Sequence, residues 1–343
     1  MDKIVNDYLN NCFQINPYQL TEDDQNIFKQ DKSLFIQKKI ARKRFRKQKM
    51  SDNLKKQIKK KVDLSLRENR SLHFTIPFGG YKHFWNPSHP EPDWAEIFNL
   101  LFLTEYTSPI LAVHKPGVIV EYISEDIILS RMDNYPKKSL DIYSEKFRKL
   151  LEWFSKYIPS NLQFRYNRLA DKLDQTKIIA QIEKILPERR KAFDKLSETE
   201  KSKELHRSYR SLMWKGEKDL TSLSEKEKQD RIIESRLIEL AYYEIEAQPE
   251  CIGDYLGGDN HICIDFSFGL SPDNVFRDLT LGSTFSSTVD YWIGRGILEY
   301  RNNKLTPRIL SKKQYEQVEK DLKKIEIKPA LLPFQNYSFI EIS

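Results

Sequence analysis

The sequence predicts an α/β fold, a Rossmann-like and mostly parallel sheet with flanking helices, extended by a basic helical N-terminal segment and a helical insertion. Three observations predict it. Residues 72–135 run strand, polar loop, helix, turn, strand and polar loop, the order of a βαβ unit. Residues 165–247 are long, charged and helical in pattern, and strand-like segments follow from residue 261.

The composition is that of a large folded protein. A chain of 343 residues with 39% hydrophobic residues can bury a sizeable core, which excludes global disorder. The longest apolar runs, such as Leu100–Leu103, are too short to cross a bilayer, so no membrane association is expected. The N-terminus lacks the layout of a secretory signal, and the three cysteines have neither metal-ligand spacing nor a paired framework. We therefore expect a cytoplasmic protein.

Changes in composition divide the chain into four parts. Residues 1–70 form a basic helical segment, and residues 71–160 form the first part of the Rossmann-like core. Residues 161–250 form a charged helical region, and residues 251–343 supply the C-terminal strands that complete the core and a last helix. The net charge of +7 is uneven, because residues 28–70 hold 17 Lys and Arg against four acids. The rest of the chain is therefore mildly acidic.

The elements of residues 72–154 have clear boundaries. Leu72–Phe78 is rich in β-forming residues and precedes two glycines. Asp93 can cap a helix that starts at Trp94 and has apolar residues at helical spacing. A Pro-Gly turn at 116–117 precedes a strand of the buried type, and Ser139 starts another amphipathic helix.

Charged residues follow the two strands of this unit. Lys82 comes after the first strand, and Glu125 and Asp126 come after the second. Ligands of open parallel sheets bind at the carboxyl ends of the strands, so this edge is the predicted site. Lys82 could form a Schiff base if burial depresses its pKa, could anchor a phosphate or carboxylate, or could be an ordinary loop lysine.

Other polar groups in this unit have two interpretations each. Asp93 and Glu96 suit a capping box, which stabilises a helix start, and Glu96 could instead face the strand-end crevice. Ser124, Glu125 and Asp126 suit a polyol, an amino group or a metal ion, or form a solvated turn. The six histidines show no metal-ligand spacing, so no metal site is predicted, although His83 could act as an acid or base.

Two further segments could bind anions. The stretch Gly282–Thr288, with Ser283 and Ser286, offers hydroxyls and backbone amides to a phosphate, or is an ordinary Ser/Thr loop without a Walker signature. The basic run Lys38–Lys49 could bind nucleic acid through its phosphates, or is the solvated face of a helix.

Residues 76–154 resemble the isocyanide (isonitrile) synthase family, the pyoverdine/dityrosine biosynthesis proteins. In that family a Pro-Phe strand end precedes a lysine and an asparagine, then a P-D-x-x-E helix start, a P-G turn and a strand that ends near S-D-G. The same order occurs here in Pro77-Phe78, Lys82, Asn86, Pro92-Asp93, Glu96, Pro116-Gly117 and Ile123-Ser124.

The chain also departs from the family pattern. Glu125 and Asp126 follow Ser124 without the family's glycine, and Arg131 occupies the place of a later acid. The family's late R-L-S-I-H strand and T-P-W-H turn are missing. The resemblance is therefore stronger for the fold than for the activity.

The resemblance implies an enzyme that joins the amine of an amino acid to a carbon from ribulose 5-phosphate, with no nicotinamide or flavin cofactor and with a downstream oxygenase as a candidate partner. It implies catalytic roles for Lys82, Glu96 and either Glu125 or Asp126. The substrates would be held by residues that include Asn86, Asp93, Ser124, Ser283 and Ser286. Two alternatives remain, a nucleic-acid-binding protein that uses the basic segment, and a catalytically inactive relative that acts as a binding partner.

Overall fold

The computed structural model of the protein describes residues 2–46, 49–79, 81–84, 88, 90–132, 135–215, 220, 222–246, 260–265, 279–281, 293–326 and 339–342. It confirms the predicted α/β class, because helices flank an all-parallel sheet. A second sheet of four strands is built from the C-terminal part of the chain.

The helices are α1 (Asp2–Cys12), α2 (Glu22–Gln30), α3 (Lys32–Ile40), α4 (Asp52–Arg67), α5 (Trp94–Leu111), α6 (Asp126–Met132), α7 (Lys137–Phe154), α8 (Gln175–Asp194), α9 (Glu198–Lys215), α10 (Glu225–Glu246) and α11 (Lys312–Val318). The strands are β1 (Leu72–Phe78), β2 (Val118–Ser124), β3 (Leu162–Arg168), β4 (His261–Asp265), β5 (Leu279–Thr280), β6 (Arg295–Arg301), β7 (Lys304–Leu310), β8 (Lys323–Glu326) and β9 (Phe339–Ile342).

The first sheet has the strand order β3-β2-β1-β4-β5. Seven residue pairs join β1 to β2, and seven join β2 to β3; within the described residues, three join β1 to β4. The chain runs outward from β1 through β2 to β3 and then returns to the other side of β1 with β4. This reversal creates a switch point between β1 and β4, where open α/β sheets bind their ligands.

Packing on one face of the sheet makes the strand ends rigid. Alternation along β1 directs Phe74, Ile76 and Phe78 to the same face, where each is at most 1% exposed. The Phe78 ring contacts aromatic rings from β2, β3 and α7, including those of Tyr122 and Phe147. Burial of one such side chain stabilises the fold by about 1.5–3 kcal/mol, so the ends of these strands have little freedom to move.

Several cations of the basic N-terminal segment form contacts within the segment itself and with α5. Lys39 forms an ion pair with Asp24 at 2.6 Å, and Arg42 donates to the Tyr106 carbonyl of α5. Arg44 pairs with Glu105, again on α5. Part of the positive charge of the run Lys38–Lys49 is therefore used within the protein.

The predicted helical region is confirmed in α8, α9 and α10, but its predicted start at residue 165 was wrong. Residues 162–168 form β3, which is an edge strand of the sheet. An edge strand presents polar residues on its outer face, and here Gln163 and Arg165 are exposed while Leu162 is buried. This polar face obscured the strand in the sequence.

The second sheet has the order β7-β6-β9-β8, and its β6–β7 hairpin turns at Asn302-Asn303. Both asparagines have positive φ, at 51° and 61°, as a two-residue hairpin turn of this kind requires. The last helix, α11, ends at Val318, and β8 begins at Lys323. The hairpin lies against the start of α5, and this contact shapes the candidate site.

Among the described residues, no helix is both long enough and apolar enough to cross a membrane.

Candidate active site

Polar groups from three strands meet at the carboxyl edge of the first sheet. Phe78, Ser124 and Arg168 are register partners at the ends of β1, β2 and β3. The backbone amide of Glu125 donates to the Phe78 carbonyl at 3.0 Å, which fixes the first residue after β2 beside β1. The predicted edge therefore exists, with Lys82 in a 3-10 turn after β1.

Lys82 is buried and lies in a cluster of opposite charges. Its Nζ atom is 3.0 Å from Asp93 Oδ2 and 3.3 Å from Glu96 Oε1, and it donates to the Gly294 carbonyl. The Lys82 side chain is 2% exposed and that of Glu96 is 0% exposed. We call Lys82, Asp93 and Glu96 the buried ion cluster.

The Asp93–Glu96 pair forms the predicted capping box and also contacts Lys82. The Asp93 carboxylate accepts from the Ala95 amide at 2.8 Å, and the Glu96 carboxylate accepts from the Asp93 amide at 2.7 Å, which completes the capping box. The remaining oxygens of the same two side chains face Lys82. The start of α5 thus places two carboxylates against one ammonium group.

The surplus carboxylate of this cluster has an unusual affinity for protons. Burial raises the pKa of Glu96 to about 8, and the nearby Lys82 only partly opposes this effect. The Tyr143 hydroxyl donates to Glu96 Oε1 at 2.9 Å and holds the group in place. A carboxyl group that exchanges its proton near neutral pH is suited to acid–base chemistry.

The contacts of Lys82 favour a fixed cation over a free amine. An ammonium group has three N–H donors, and three acceptors lie around this one, on Asp93, Glu96 and Gly294. Formation of a Schiff base would require loss of these contacts. The geometry therefore favours electrostatic and positioning roles for Lys82 among the three interpretations of the sequence.

A close backbone contact brings β6 over the cluster. A Cβ atom on Gly296 would lie 2.3 Å from the Ala95 nitrogen, so only glycine fits there. The Gly296 amide donates to Asp93 Oδ1 at 3.2 Å, and Arg295 binds Glu341 of β9 at 2.6 Å. These contacts hold the Gly294 carbonyl against Lys82.

The residues at the end of β2 separate into two groups. Glu125 is half-buried, and the Tyr242 hydroxyl of α10 donates to it at 3.3 Å. Asp126 is 2% exposed and binds Arg168 at 2.6 Å and the Ala170 amide at 3.1 Å. Glu125 is thus the more accessible acid, whereas Asp126 is engaged in a structural ion pair.

Ser124 is buried, and its hydroxyl is hydrogen-bonded to Tyr166 of β3. The Tyr166 hydroxyl also lies 2.6 Å from Ser144 Oγ of α7. Ser124 therefore links the strand end to its neighbours. Asn86, Ser283 and Ser286 lie outside the described residues, so their predicted binding roles stay predictions.

Sequence reasoning missed four contributors to the site, Tyr143, Arg168, Tyr242 and Gly294. Tyr143 lies on the apolar face of α7, where a hydroxyl donor to Glu96 has no local sequence signal, and Gly294 lies 212 residues from Lys82 in the chain. The Gly-Arg-Gly sequence at 294–296, at the start of β6, was a signal that the backbone of another element could approach this strand closely. Within the described ranges, no group of three His, Cys, Asp or Glu side chains is arranged to hold a metal ion.

Comparison with known proteins yields a match in structure. No family model matches the sequence, and no curated protein matches it. The chain is similar to the crystal structure of the PvcA protein from Pseudomonas aeruginosa, with a TM-score of 0.59 and 14% sequence identity. The match covers 91% of this chain and 99% of PvcA. At this identity, the likeness shows a shared fold over nearly the full length of both chains.

Proposed function

We propose that the protein is a biosynthetic enzyme of the isonitrile synthase type, which joins the amine of an amino acid to a carbon from ribulose 5-phosphate. The proposal takes PvcA, whose fold this chain shares, as a distant relative from the pyoverdine-associated isonitrile synthases. The sequence resemblance in residues 76–154 supports it independently of the fold.

One observation carries the proposal: the residues that match the family motif come together in space. Lys82 precedes Asp93 and Glu96 by a loop in the sequence, yet its ammonium group lies 3.0 Å from the Asp93 carboxylate and 3.3 Å from that of Glu96. An arrangement needed only for helix capping would not require the buried lysine. Buried titratable groups held together in this way are typical of catalytic sites.

We assign the roles as follows. Glu125, the more accessible acid, binds the substrate ammonium group or takes its proton, with Tyr242 orienting it. Glu96 stores and returns a proton within the site, and Lys82 is the fixed cation that holds the Asp93 and Glu96 side chains in place. Asp126 acts through Arg168 and positions the end of β2. A downstream oxygenase would be the expected partner.

The reaction can be tested by incubating the purified protein with ribulose 5-phosphate and a pool of amino acids, followed by mass spectrometry. The expected product has gained one carbon and lost two hydrogens relative to one amino acid. Lys82→Met should abolish this product. Lys149→Met is the matched control, because Lys149 is half-exposed and pairs only with Glu145 of the same helix.

Because Lys82→Met removes the cation that pairs with Asp93 and Glu96, its folding must be checked by circular dichroism. The double variant Lys82→Met/Glu96→Gln also removes the fully buried carboxyl group and leaves only Asp93, which is 16% exposed, so it should fold while it remains inactive. Absence of the product in the wild-type protein across the whole pool would contradict the proposal and favour an inactive relative.

A further inference from the structure

A row of polar side chains crosses the face of the first sheet opposite to Phe74 and Phe78. It consists of His261 on β4, His73 on β1, Glu121 on β2 and Asn167 on β3. His73 and His261 are register partners, and alternation directs them away from the aromatic core. No proposed catalytic step uses these residues.

The row contains two imidazoles and one carboxylate. The rings of His73 and His261 lie 4.1 Å apart between centroids, with 53° between their planes. Glu121 Oε2 is 2.5 Å from His73 Nε2, and the Asn167 amide donates to the other carboxylate oxygen. One negative charge can balance one protonated ring, but a second proton would place two cations in contact.

The other charged groups that face His261 are cationic. Lys61 of α4 donates to the His261 carbonyl at 2.8 Å, and Arg70 binds the neighbouring Asn260 at 2.9 Å. Arg168 and Lys172 line the same cavity as His261, a space of about 80 Å³ that Glu121 and Asn167 also border. His261 Nδ1 is buried and accepts no hydrogen bond from the described residues. Burial, with a further contribution from His73, lowers the pKa of His261 to about 4.

We propose that the His73–His261 pair is an acid-sensitive latch between β1 and β4, which a second proton opens. Within the residues that the structure describes, three register pairs connect β1 to β4. The two histidines form the first of those three pairs. Opening of the latch therefore loosens the contact between β1 and β4 at the amino ends of the two strands. The inference does not depend on the reaction catalysed.

The direction of the pH effect follows from the lowered pKa. His261 has a pKa of about 4 in the folded protein and an ordinary pKa of about 6.5 in the unfolded chain. Its contribution to stability is therefore complete above about pH 6.5 and is lost as the pH falls towards 4. Between high pH and about pH 5, His261 alone should raise the unfolding equilibrium constant about 30-fold.

The test is equilibrium urea unfolding at about pH 5 and about pH 7.5 for the wild-type protein and His261→Phe, which keeps an aromatic ring but cannot be protonated. The ratio of the two unfolding constants should be about 30-fold smaller in His261→Phe than in the wild type. His206→Phe, which removes an exposed histidine of α9, should leave the wild-type ratio unchanged. Equal ratios in all three proteins would overturn the proposal. His114, whose pKa burial also lowers, is present in all of them and cancels.

Hydrogen exchange of the wild-type protein keeps the proposal testable if His261→Phe fails to fold. After correction for the intrinsic pH dependence of exchange, amides of residues 261–265 should lose protection between about pH 7 and pH 5 while those of 118–124 retain it. Parallel loss of protection in β2 and β4, or unchanged protection of both, would overturn the latch.

Discussion

Two ion clusters at the same edge of the sheet differ in charge balance and in exposure. In the buried ion cluster, Lys82 lies between Asp93 and Glu96, and the three side chains are 2%, 16% and 0% exposed. In the other cluster, Arg168 lies between Asp126 and Asp141, and Asp141 is 42% exposed. Asp141 also pairs with Lys137 at 2.8 Å, so the second cluster has two cations for its two carboxylates, whereas the first has one.

The charge balance and the surroundings decide what the second carboxylate of each cluster does. Burial raises the pKa of Glu96, so this group keeps its proton near neutral pH. Partial burial alone would raise the pKa of Asp141, but hydrogen bonds from Lys137 and Arg168 lower it, so Asp141 is ionised. The first cluster therefore has a proton to exchange, whereas the second joins β3 to α6 and α7.

Replacement of the central cation should give the largest difference between the clusters. Lys82→Met leaves two carboxylates in the interior and should reduce the free energy of unfolding by about 3–5 kcal/mol. Arg168→Met should cost less, about 2–3 kcal/mol, because the buried Asp126 keeps its hydrogen bond from the Ala170 amide and Asp141 keeps Lys137 and contact with water. Urea denaturation of both variants at neutral pH measures the difference. A larger loss in Arg168→Met would reverse the comparison.

The two clusters should also differ in their response to pH. The raised pKa of Glu96 means that its contribution to stability is complete below about pH 4.5 and is lost as the pH rises through about 8. Between about pH 6 and pH 8 the free energy of unfolding should fall by about 2 kcal/mol, and Glu96→Gln should remove this slope. Glu145→Gln, at an exposed position on α7, should keep the wild-type slope. A slope that persists in Glu96→Gln would show that another group is responsible.

The close contact with β6 should influence only the buried ion cluster. Gly296→Ala places a Cβ atom against the Ala95 nitrogen and should destabilise the protein by about 1–3 kcal/mol. Gly117→Ala should also destabilise it, since Gly117 has a φ of 78° and lies against the Asn161 carbonyl. The pH dependence of unfolding between about pH 6 and pH 8 should change in Gly296→Ala alone. A change in both variants would mean that the Glu96 environment responds to general loosening.

Removal of single hydroxyl donors should have the smallest effects. Tyr143→Phe deletes a donor to the fully buried Glu96 and should cost about 1–2 kcal/mol in unfolding free energy. Tyr242→Phe deletes a longer contact of 3.3 Å to the half-buried Glu125 and should cost about 0.5 kcal/mol. Thermal denaturation of the two variants side by side tests this order. Equal costs would indicate that Glu125 is as enclosed as Glu96.

Local features of the site were predictable from the sequence, and its long-range contacts were not. The βαβ order and the capping residues Asp93 and Glu96 depend on neighbours within a few positions, and both are present. The burial of Lys82 depends on Gly294 and Gly296 of a distant strand, and no local pattern indicates that contact. The pairing of Asp126 with Arg168 was not predictable from the sequence either. Arg168 lies at the end of β3, and the polar outer face of this edge strand obscured it in the sequence.

The most direct test of the proposed activity is transfer of isotope from uniformly ¹³C-labelled ribulose 5-phosphate to an amino acid, followed by mass spectrometry and ¹³C NMR. The account predicts one labelled carbon on the amino acid nitrogen in the wild-type protein and in the exposed control Glu145→Gln. It predicts none in Glu125→Gln, provided that variant folds. Transfer at the wild-type rate by Glu125→Gln, or no transfer by the wild-type protein with any amino acid, would contradict the account.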